Sequence, residues 1–454
     1  MPENQDKSTP SQEITPNISF DELWEVWPTL DEEDRLEWFK QLEHDDAEDF
    51  FSSIPCEDQA DLLAKMNARE RKHWMKELAP DDAVDVLQII EDKNTVNELK
   101  ECLNPRVRKE VEALMAYAED DAGGLMSPRF ARCRPEMNID EAILYVRKQL
   151  GNELEMIYYV YVLDSQQHLL GVVSFDDLFK ADGNRKISDI MDTEPTTVED
   201  DMDQEAVALL FAREDSYALP VVDENGVMKG IITIDDIVDV VQEEATEDIQ
   251  KMGGMAALDN DYLQTSFGEM YKKRIGTLVV LFCCNLITTR VMDHYSEAMQ
   301  AAIILGVFVP LIMASGGNTG SQAATMITRA MALEEVHLKD VFRVFVRELG
   351  VSSALGGTLA GCGLILCIIY KYLNLFPVKE GVNVFIPLTL TLVVSIGVLV
   401  IYGSIVGSML PFLLKLCRID PASASAPLVT TIVDASGIII YFSIAYLMLN
   451  GILL

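Results

Sequence analysis

Five long stretches without a Lys, Arg or Glu, all in the second half of the 454-residue chain, set the strongest limit on its fold. Four of them exceed the ~20 residues that a helix needs to cross a bilayer. The first is extended by apolar residues beyond Arg290, a side chain that can snorkel. Five spanning helices are therefore predicted, from residues 275–289, 298–328, 349–370, 381–414 and, interrupted only by Asp434, 421–454.

Basic residues beside these stretches indicate the orientation, because cytosolic loops hold the excess of Lys and Arg. Nine of them lie before the first stretch, between the second and third, or between the fourth and fifth, and three lie in the other loops. The N-terminal half is therefore predicted to be cytosolic, and the C-terminus to be outside.

The segment before Ile275 contains the whole formal net charge of −37, because basic and acidic residues are equal in number in the remainder. Like charges in a folded domain repel one another unless dissolved cations or a basic partner neutralise them. Nucleic acid and anionic lipid are poor partners for such a domain. Cation binding is the favoured interpretation, and a merely soluble acidic surface is the alternative.

Asp434 is the only acidic residue inside the five stretches. It lies about 21 Å beyond Asp420 if a helix with a rise of ~1.5 Å per residue runs between them. A carboxylate at mid-membrane costs on the order of 2.5–3.5 kcal/mol and needs water, a cation or a partner. We expect a cation-attracting group on a wet pathway; the alternative is a protonated carboxyl hydrogen-bonded to Thr430 or Thr431.

The second stretch contains the polar segment GGNTGSQ at 316–322. Gly317 and its neighbouring glycines permit close helix approach or unwound backbone, and Asn318 and Gln322 place two amides one turn apart. These amides favour a polar lumen. Packing by small residues alone is the alternative.

In the cytosolic half, the chain from 31 to about 90 is a series of short segments at near-regular spacing, each with polar residues before an apolar stripe, which predicts a succession of short helices. A clearer repeat aligns VYVLDSQQHLLGVVSFDDLF with LPVVDENGVMKGIITIDDIVDV at one constant offset, which pairs Asp164 with Asp223 and Asp177 with Asp236. Each copy predicts strand, turn, strand and capped helix. The repeat resembles a tandem pair of CBS modules, in which Thr233 and Asp236 fit a contact to the ribose of ATP.

The CBS-like repeat, the segment EEATEDI, the segment GGNTGSQ and Asp434 in PLVTTIVDASG occur together in one chain. Together with YAEDDAGGLM at 117–126, they resemble the MgtE family of bacterial magnesium channels over nearly the whole chain. The resemblance implies a homodimer in the bacterial inner membrane, with a Mg²⁺ pore between the second and fifth membrane helices of both subunits.

The resemblance further implies that Mg²⁺ bound between acidic cytosolic faces closes the pore, which Asp434 lines. The family often has Asn and Ala eight and four positions before the pore Asp; this chain has Ala426 and Thr430 there, which puts the neighbouring ligands and the ion preference in question. The implied sensing carboxylates are Asp81 and Asp85 in the helical domain; Asp203, Glu205, Asp215, Asp236 and Asp239 in the second CBS module; and Glu244, Glu247 and Asp248 after it.

The predicted fold is multidomain. It has a cytosolic all-α superhelical N domain, an α/β tandem CBS pair, a connecting amphipathic helix and an all-α membrane domain of five helices. The predicted boundaries are 1–17 for a disordered tail, 18–120 for the N domain, 121–192 and 193–244 for the CBS modules, 245–272 for the connecting helix and 273–454 for the membrane domain.

Mg²⁺ uptake through a channel that cytosolic Mg²⁺ closes is the predicted function, and two alternatives stay open. Carboxylate and water sites also suit Mn²⁺ or Co²⁺. The chain could instead be a membrane-anchored nucleotide sensor without transport. An enzyme is not predicted, because the five histidines show no metal-site or triad spacing and no Gly-rich phosphate loop occurs.

Overall fold

The computed structural model describes residues 18–90, 92–150, 158–258, 262, 265–296, 303–373 and 385–449. The predicted tail at 1–17 lies outside the described residues. The chain divides into two compact units, Met1–Val241 and Gln242–Leu454, and each is described by itself.

Short helices form the first part of the N-terminal unit, and from α2 onward they begin at near-regular intervals. Several start at a capping side chain: Asp31 accepts from the backbone N–H of Asp34, and Asn67 and Glu70 form a capping box. The predicted succession of helices is confirmed and continues beyond residue 90. These helices are α1 Phe20–Val26, α2 Glu32–Phe39, α3 His44–Ser53, α4 Cys56–Lys65, α5 Ala68–Glu77, α6 Pro80–Ile89, α7 Lys93–Cys102 and α8 Pro105–Leu114.

Two three-stranded sheets follow, and each has one parallel and one antiparallel pair of strands. Tyr159 pairs with Ser174, and their counterparts in the repeat, Ala218 and Thr233, pair in the same way. Residues that correspond in the sequence repeat thus also occupy corresponding positions in the paired strands. The predicted CBS pair is therefore confirmed as two copies of one supersecondary unit. Its elements are α9 Ala122–Leu125, β1 Arg132–Cys133, α10 Ile139–Leu150, β2 Tyr159–Leu163, β3 Leu169–Ser174, α11 Phe175–Lys180, β4 Val198–Glu199, α12 Gln204–Glu214, β5 Ala218–Val222 and β6 Met228–Thr233.

Long helices make up the C-terminal unit, beginning within α13. They are α13 Ile234–Met252, which crosses the predicted border at 244/245, then α14 Phe267–His294, α15 Ile303–Ala332, α16 Val341–Tyr372, α17 Phe385–Leu416 and α18 Ala426–Leu449. Among the described residues, α14, α16 with the turn before it, α17 and α18 are long and apolar enough to span a membrane. Spanning by α15 stays a prediction.

Glycines allow the backbones of neighbouring long helices to touch. A Cβ added at Gly320 of α15 would lie 2.8 Å from the carbonyl oxygen of Gly403 in α17. One added at Gly356 of α16 would lie 2.9 Å from the carbonyl oxygen of Gly397. Helix association in a bilayer depends on such close van der Waals packing, since lipid tails are as apolar as the helices. Packing is thus one demonstrated role of the small residues in α15.

These contacts predict opposite outcomes at two adjacent glycines of α16. A Cβ at Gly356 meets the backbone of Gly397, whereas one at Gly357 meets no atom of the described chain within 4 Å. We expect Gly356→Ala to destabilise the protein by about 1–3 kcal/mol, and Gly357→Ala to be neutral or slightly stabilising. Thermal unfolding in detergent measures both. Equal melting temperatures for the two variants would contradict the contact.

Candidate functional site

Asp434 lies in α18 and is partly buried. Its carboxylate has no hydrogen bond or ion pair with the residues that the structure describes. The helix begins at Ala426, after a 3₁₀ turn at Pro421–Ser423 that Asp420 caps. Asp434 is therefore about 12 Å along the helix at ~1.5 Å per residue, and the larger estimate, which assumed helix from Asp420, is wrong.

The two threonines before Asp434 bond to backbone oxygens. Thr430 donates to the carbonyl of Ala426 at 2.9 Å, and Thr431 donates to the carbonyl of Pro427 at 2.8 Å. Each hydroxyl proton is therefore engaged within its own helix. The alternative of a carboxyl held by Thr430 or Thr431 is not seen.

A cluster of small and hydroxyl side chains joins α15 to α18 just before Asp434. Ser321 lies 3.1 Å from the hydroxyl of Thr430 and donates to the carbonyl of Ala426 at 3.2 Å. A Cβ at Gly317 would lie 3.0 Å from the Thr430 side chain. The structure therefore brings together three of the five predicted pore-lining candidates, Gly317, Ala426 and Thr430. Ser321, which the sequence analysis did not single out, completes the group.

The other two candidates, Asn318 and Gln322, are exposed on α15 and form no hydrogen bond among the described residues. Their spacing puts them on one face of the helix. An amide that faces hydrocarbon without a partner costs roughly 2–7 kcal/mol. This face is therefore unsuited to lipid contact.

A second group of acidic residues lies in the N-terminal unit, where α6 meets α13. Burial, followed by the charges of Asp82, Asp81 and Asp236, raises the pKa of Asp85 to about 8. Burial also raises the pKa of Asp236 to about 7, with contributions from Asp81 and Asp235 and an opposing hydrogen bond from Thr233. The structure thus brings together Asp81, Asp85 and Asp236, and we call these three residues the carboxylate cluster.

The carboxylate cluster offers oxygen ligands, the type that hard divalent cations take. Burial raises the pKa of Asp81, and its Oδ1 is buried without a hydrogen-bond partner among the described residues. Mg²⁺ takes oxygen ligands, keeps several waters and needs only one or two carboxylates. Partial burial of the carboxyl group, then the charge of Asp235, also raises the pKa of Asp239. Asp235 is an acidic neighbour that the sequence analysis missed.

The remaining candidates of the second CBS module lie at the two ends of α12. Asp203 caps the helix by accepting from the backbone N–H of Glu205, and Asp215 ends it with φ +50°. The helix between Asp203 and Asp215 separates them by about 18 Å at ~1.5 Å per residue. These residues cannot share one ion within a chain. The structure therefore gives Asp203 and Asp215 helix-ending roles.

Thr233 and Asp236, the nucleotide candidates, contact one another at the start of α13. The Thr233 hydroxyl donates to Asp236 Oδ2 at 2.6 Å. The same pair occurs in the first module, where Ser174 donates to Asp177 at 2.7 Å. Ser174 also accepts from the backbone N–H of Asp177, and Asp236 accepts from the backbone N–H of Thr233, so both pairs bind backbone groups at the start of a helix.

In the C-terminal unit, one lysine joins the end of α13 to the loop before α18. Lys251 Nζ lies 2.7 Å from Glu247 and 2.8 Å from Asp420. Although burial lowers the pKa of Lys251, its hydrogen bonds to Asp420 and Glu247 raise it overall. Burial and the charge of Asp420 raise the pKa of Asp248. The predicted acidic face, which includes Glu244, is therefore partly neutralised by Lys251, a partner that the sequence analysis missed.

One further grouping corrects the sequence analysis. His44, Glu48 and His73 have potential metal-ligand atoms that all lie within 4.8 Å of one another. The expectation that the histidines show no metal spacing is wrong, because His73 comes from a different helix.

The raised pKa values predict how metal-free stability depends on pH. Asp85 and Asp236 hold protons in the folded chain that the unfolded chain releases near its ordinary pKa of about 4. Stability therefore falls as pH rises from about 4 to about 8. With a chelator present, we expect the melting temperature to drop over this range by at least about 2–4 °C, the shift that ~1 kcal/mol produces in a unit of this size.

Asp85→Asn should reduce that drop, because it removes one of the carboxyl groups whose pKa is strongly raised. Thermal unfolding of the full-length protein at several pH values measures the effect. If the variant lost as much stability as the wild type over the same range, the assignment to Asp85 would be incorrect.

Family profiles match along most of the chain. The MgtE intracellular N domain matches residues 18–120, CBS domains match 122–184 and 187–243, and the MgtE divalent cation transporter matches 309–444. A crystal structure described as the cytosolic domain of the Mg²⁺ channel MgtE in complex with ATP is 39% identical. It covers 49% of this chain and 90% of that chain, with a TM-score of 0.46.

Curated relatives extend the match into the membrane half. The magnesium transporter MgtE of Thermus thermophilus is 39% identical over 370 residues, which is 81% of this chain and 79% of that protein. The magnesium transporter MgtE of Bacillus subtilis is 33% identical over 337 residues, 74% of this chain and 71% of that protein. Identity at this level over both halves shows that the chain belongs to the MgtE family of divalent cation transporters.

Proposed function

We propose that the chain forms a Mg²⁺ channel for uptake, which closes when cytosolic Mg²⁺ binds the carboxylates of the N domain, the CBS pair and α13. The single observation that carries this proposal is Asp434, a carboxylate in a membrane-spanning helix without a protein partner among the described residues. A charge in such a place needs water or a cation. The names of the two curated relatives support Mg²⁺ as that cation.

Asp434 acts by its charge on an ion that keeps its water. Mg²⁺ dehydrates reluctantly, so it usually keeps several bound waters and is held by only one or two carboxylates. Beside Asp434, the Thr430 and Ser321 hydroxyls offer oxygen acceptors to water molecules of a hydrated ion. Ala426, where the family often has Asn, offers only its backbone oxygen. Mn²⁺ and Co²⁺ accept the same ligands, so they remain competing substrates.

The pore is formed by two copies of the chain. Asn318 and Gln322 are exposed on α15, on a face unsuited to lipid. In a homodimer, α15 and α18 of both subunits line one pore, so that these amides face water. Two Asp434 carboxylates then meet across it and double the charge that attracts the ion. In this arrangement the protein lies in the inner membrane, with its N-terminus cytosolic and its C-terminus outside.

The carboxylate cluster is the sensor. Without a bound cation, the charged forms of Asp81, Asp85 and Asp236 are destabilised first by burial and then by the charge of neighbouring carboxylates, which raises their pKa values. Mg²⁺ offsets this negative charge and holds α6 against α13. Asp203, Glu205 and Asp215 lie outside this cluster and are proposed to act in binding regulatory ions between subunits. ATP, bound at Thr233 and Asp236, remains a second candidate regulator. Asp236 would then contact both ATP and the regulatory Mg²⁺.

The sensor acts on the pore through the end of α13. Lys251 binds Asp420, which caps the turn before α18. The loop after α13 also approaches α18, since a Cβ at Gly254 would lie 3.4 Å from Pro427. Glu244, Glu247 and Asp248 bind regulatory ions at this junction. A shift of α13 therefore reaches the helix that contains Asp434.

Removal of the Asp434 charge tests the pore. At an effective dielectric constant of about 20, a unit charge attracts a cation about 4 Å away by several kcal/mol. We expect Asp434→Asn to reduce Mg²⁺ flux into proteoliposomes by at least about tenfold. Asp293→Asn is the control, because Asp293 is an exposed carboxylate that pairs with Arg290 at the end of α14. Unchanged flux in folded Asp434→Asn protein would refute the pore assignment.

The internal repeat offers a matched test of the sensor. Asp236→Asn and Asp177→Asn each remove a carboxylate that accepts a hydrogen bond from the hydroxyl before its helix, but Asp236 alone belongs to the carboxylate cluster. We expect closure of the Asp236 variant to need at least about threefold more cytosolic Mg²⁺, a loss of ~0.6 kcal/mol. Asp177→Asn should close like the wild type. Equal shifts in both variants would show that this hydrogen bond, and not cation binding, controls closure.

A further inference from the structure

Three side chains on the surface of the N domain form a group that the Mg²⁺ proposal does not use. His44 begins α3, Glu48 follows it by one turn, and His73 belongs to α5. Their potential ligand atoms all lie within 4.8 Å of one another. His44 Nε2 is 3.3 Å from Glu48 Oε1, and the two imidazole rings are 5.2 Å apart. We call these residues the His–Glu group.

Buried aromatic residues fix the helices that present the His–Glu group. Trp74, next to His73 in the chain, packs 5.0 Å from Phe51 of α3 and 5.1 Å from Phe39 of α2. The rings of His73 and Trp74 are also 5.0 Å apart. The backbones that carry the ligands are thus held by a packed core, whereas both histidine side chains reach solvent and can change rotamer.

The geometry is already close to that of a zinc site. In a tetrahedral site with bonds of about 2.0–2.1 Å, neighbouring ligand atoms lie about 3.3–3.4 Å apart. The distance from His44 to Glu48 has this value, so only His73 has to move. Two imidazoles and one carboxylate leave a fourth position for water. Asp45 and Asp46 in the same helical turn add negative charge that attracts a cation.

We propose that His44, Glu48 and His73 bind a transition-metal dication of the Zn²⁺ class. Imidazole suits Zn²⁺, Co²⁺ and Ni²⁺, whereas Mg²⁺ takes oxygen ligands. The N-terminal unit would therefore have two kinds of cation site: the carboxylate cluster for a hard ion and the His–Glu group for a borderline one. This inference goes beyond the proposed function and does not depend on it. Metal at the His–Glu group links α3 to α5 and stabilises the N domain.

Co²⁺ titration of the full-length protein in detergent tests the proposal. The protein is first stripped with a chelator and then kept in millimolar Mg²⁺, which occupies carboxylate sites. We expect one Co²⁺ per chain with the visible absorption of a tetrahedral nitrogen and oxygen site. Zn²⁺ should displace it, and further Mg²⁺ should not. Displacement of Co²⁺ by Mg²⁺, or absence of the absorption band, would overturn the proposal.

Matched histidine variants identify the ligands. His44→Gln and His73→Gln should each lower Co²⁺ affinity at least tenfold, without changing the melting temperature of the metal-free protein. His168→Gln is the control, because His168 also lies beside a carboxylate, 2.9 Å from Asp164, but outside the His–Glu group. The control should bind Co²⁺ like the wild type. Unaltered binding in the first two variants, or an equal loss in the control, would refute the site.

Discussion

The burial of neighbouring carboxylates is the constraint on which the N-terminal unit depends. Asp81 and Asp85 come from α6, and Asp236 comes from the helix that leaves the second CBS module. One apolar core extends from Leu23 in the first helix to Val240 in α13, so burial of apolar side chains forces these acids together. The hydrophobic effect and electrostatic repulsion therefore oppose one another at the same contact. A proton or a cation at the carboxylates shifts the balance toward contact.

The membrane half has the opposite situation, because its single carboxylate lies where few groups can form hydrogen bonds or ion pairs with it. Hydroxyl groups near Asp434 already donate to backbone carbonyls, as Thr430 does to Ala426. They leave their oxygen lone pairs available to water, which a cation can polarise. The two halves thus differ in how they place carboxylates: the N-terminal unit brings several together, and the membrane helix isolates one.

Much of this arrangement was predictable from local pattern. The constant offset between the two CBS copies predicted their common strand register, because strand pairing has a strict alternation of faces. Asp434 stood out because charge is rare in membrane helices. Groupings that depend on distant segments were not predictable. Lys251 meets Asp420 from far along the chain, and His73 meets His44 only because Trp74 packs between two helices.

The role of the glycines of α15 was ambiguous for a similar reason. Their packing also determines how the membrane helices respond to cooling. A single sequence does not say which helix lies opposite; the structure sets Gly403 of α17 against Gly316 and Gly320, and leaves Asn318 and Gln322 on the exposed side. Such contacts are held by van der Waals attraction, without a hydrophobic effect between helices. The core of the N-terminal unit does depend on that effect, which weakens as temperature falls. Cooling therefore loosens the N-terminal unit, which contains the proposed sensor, before it loosens the packed membrane helices.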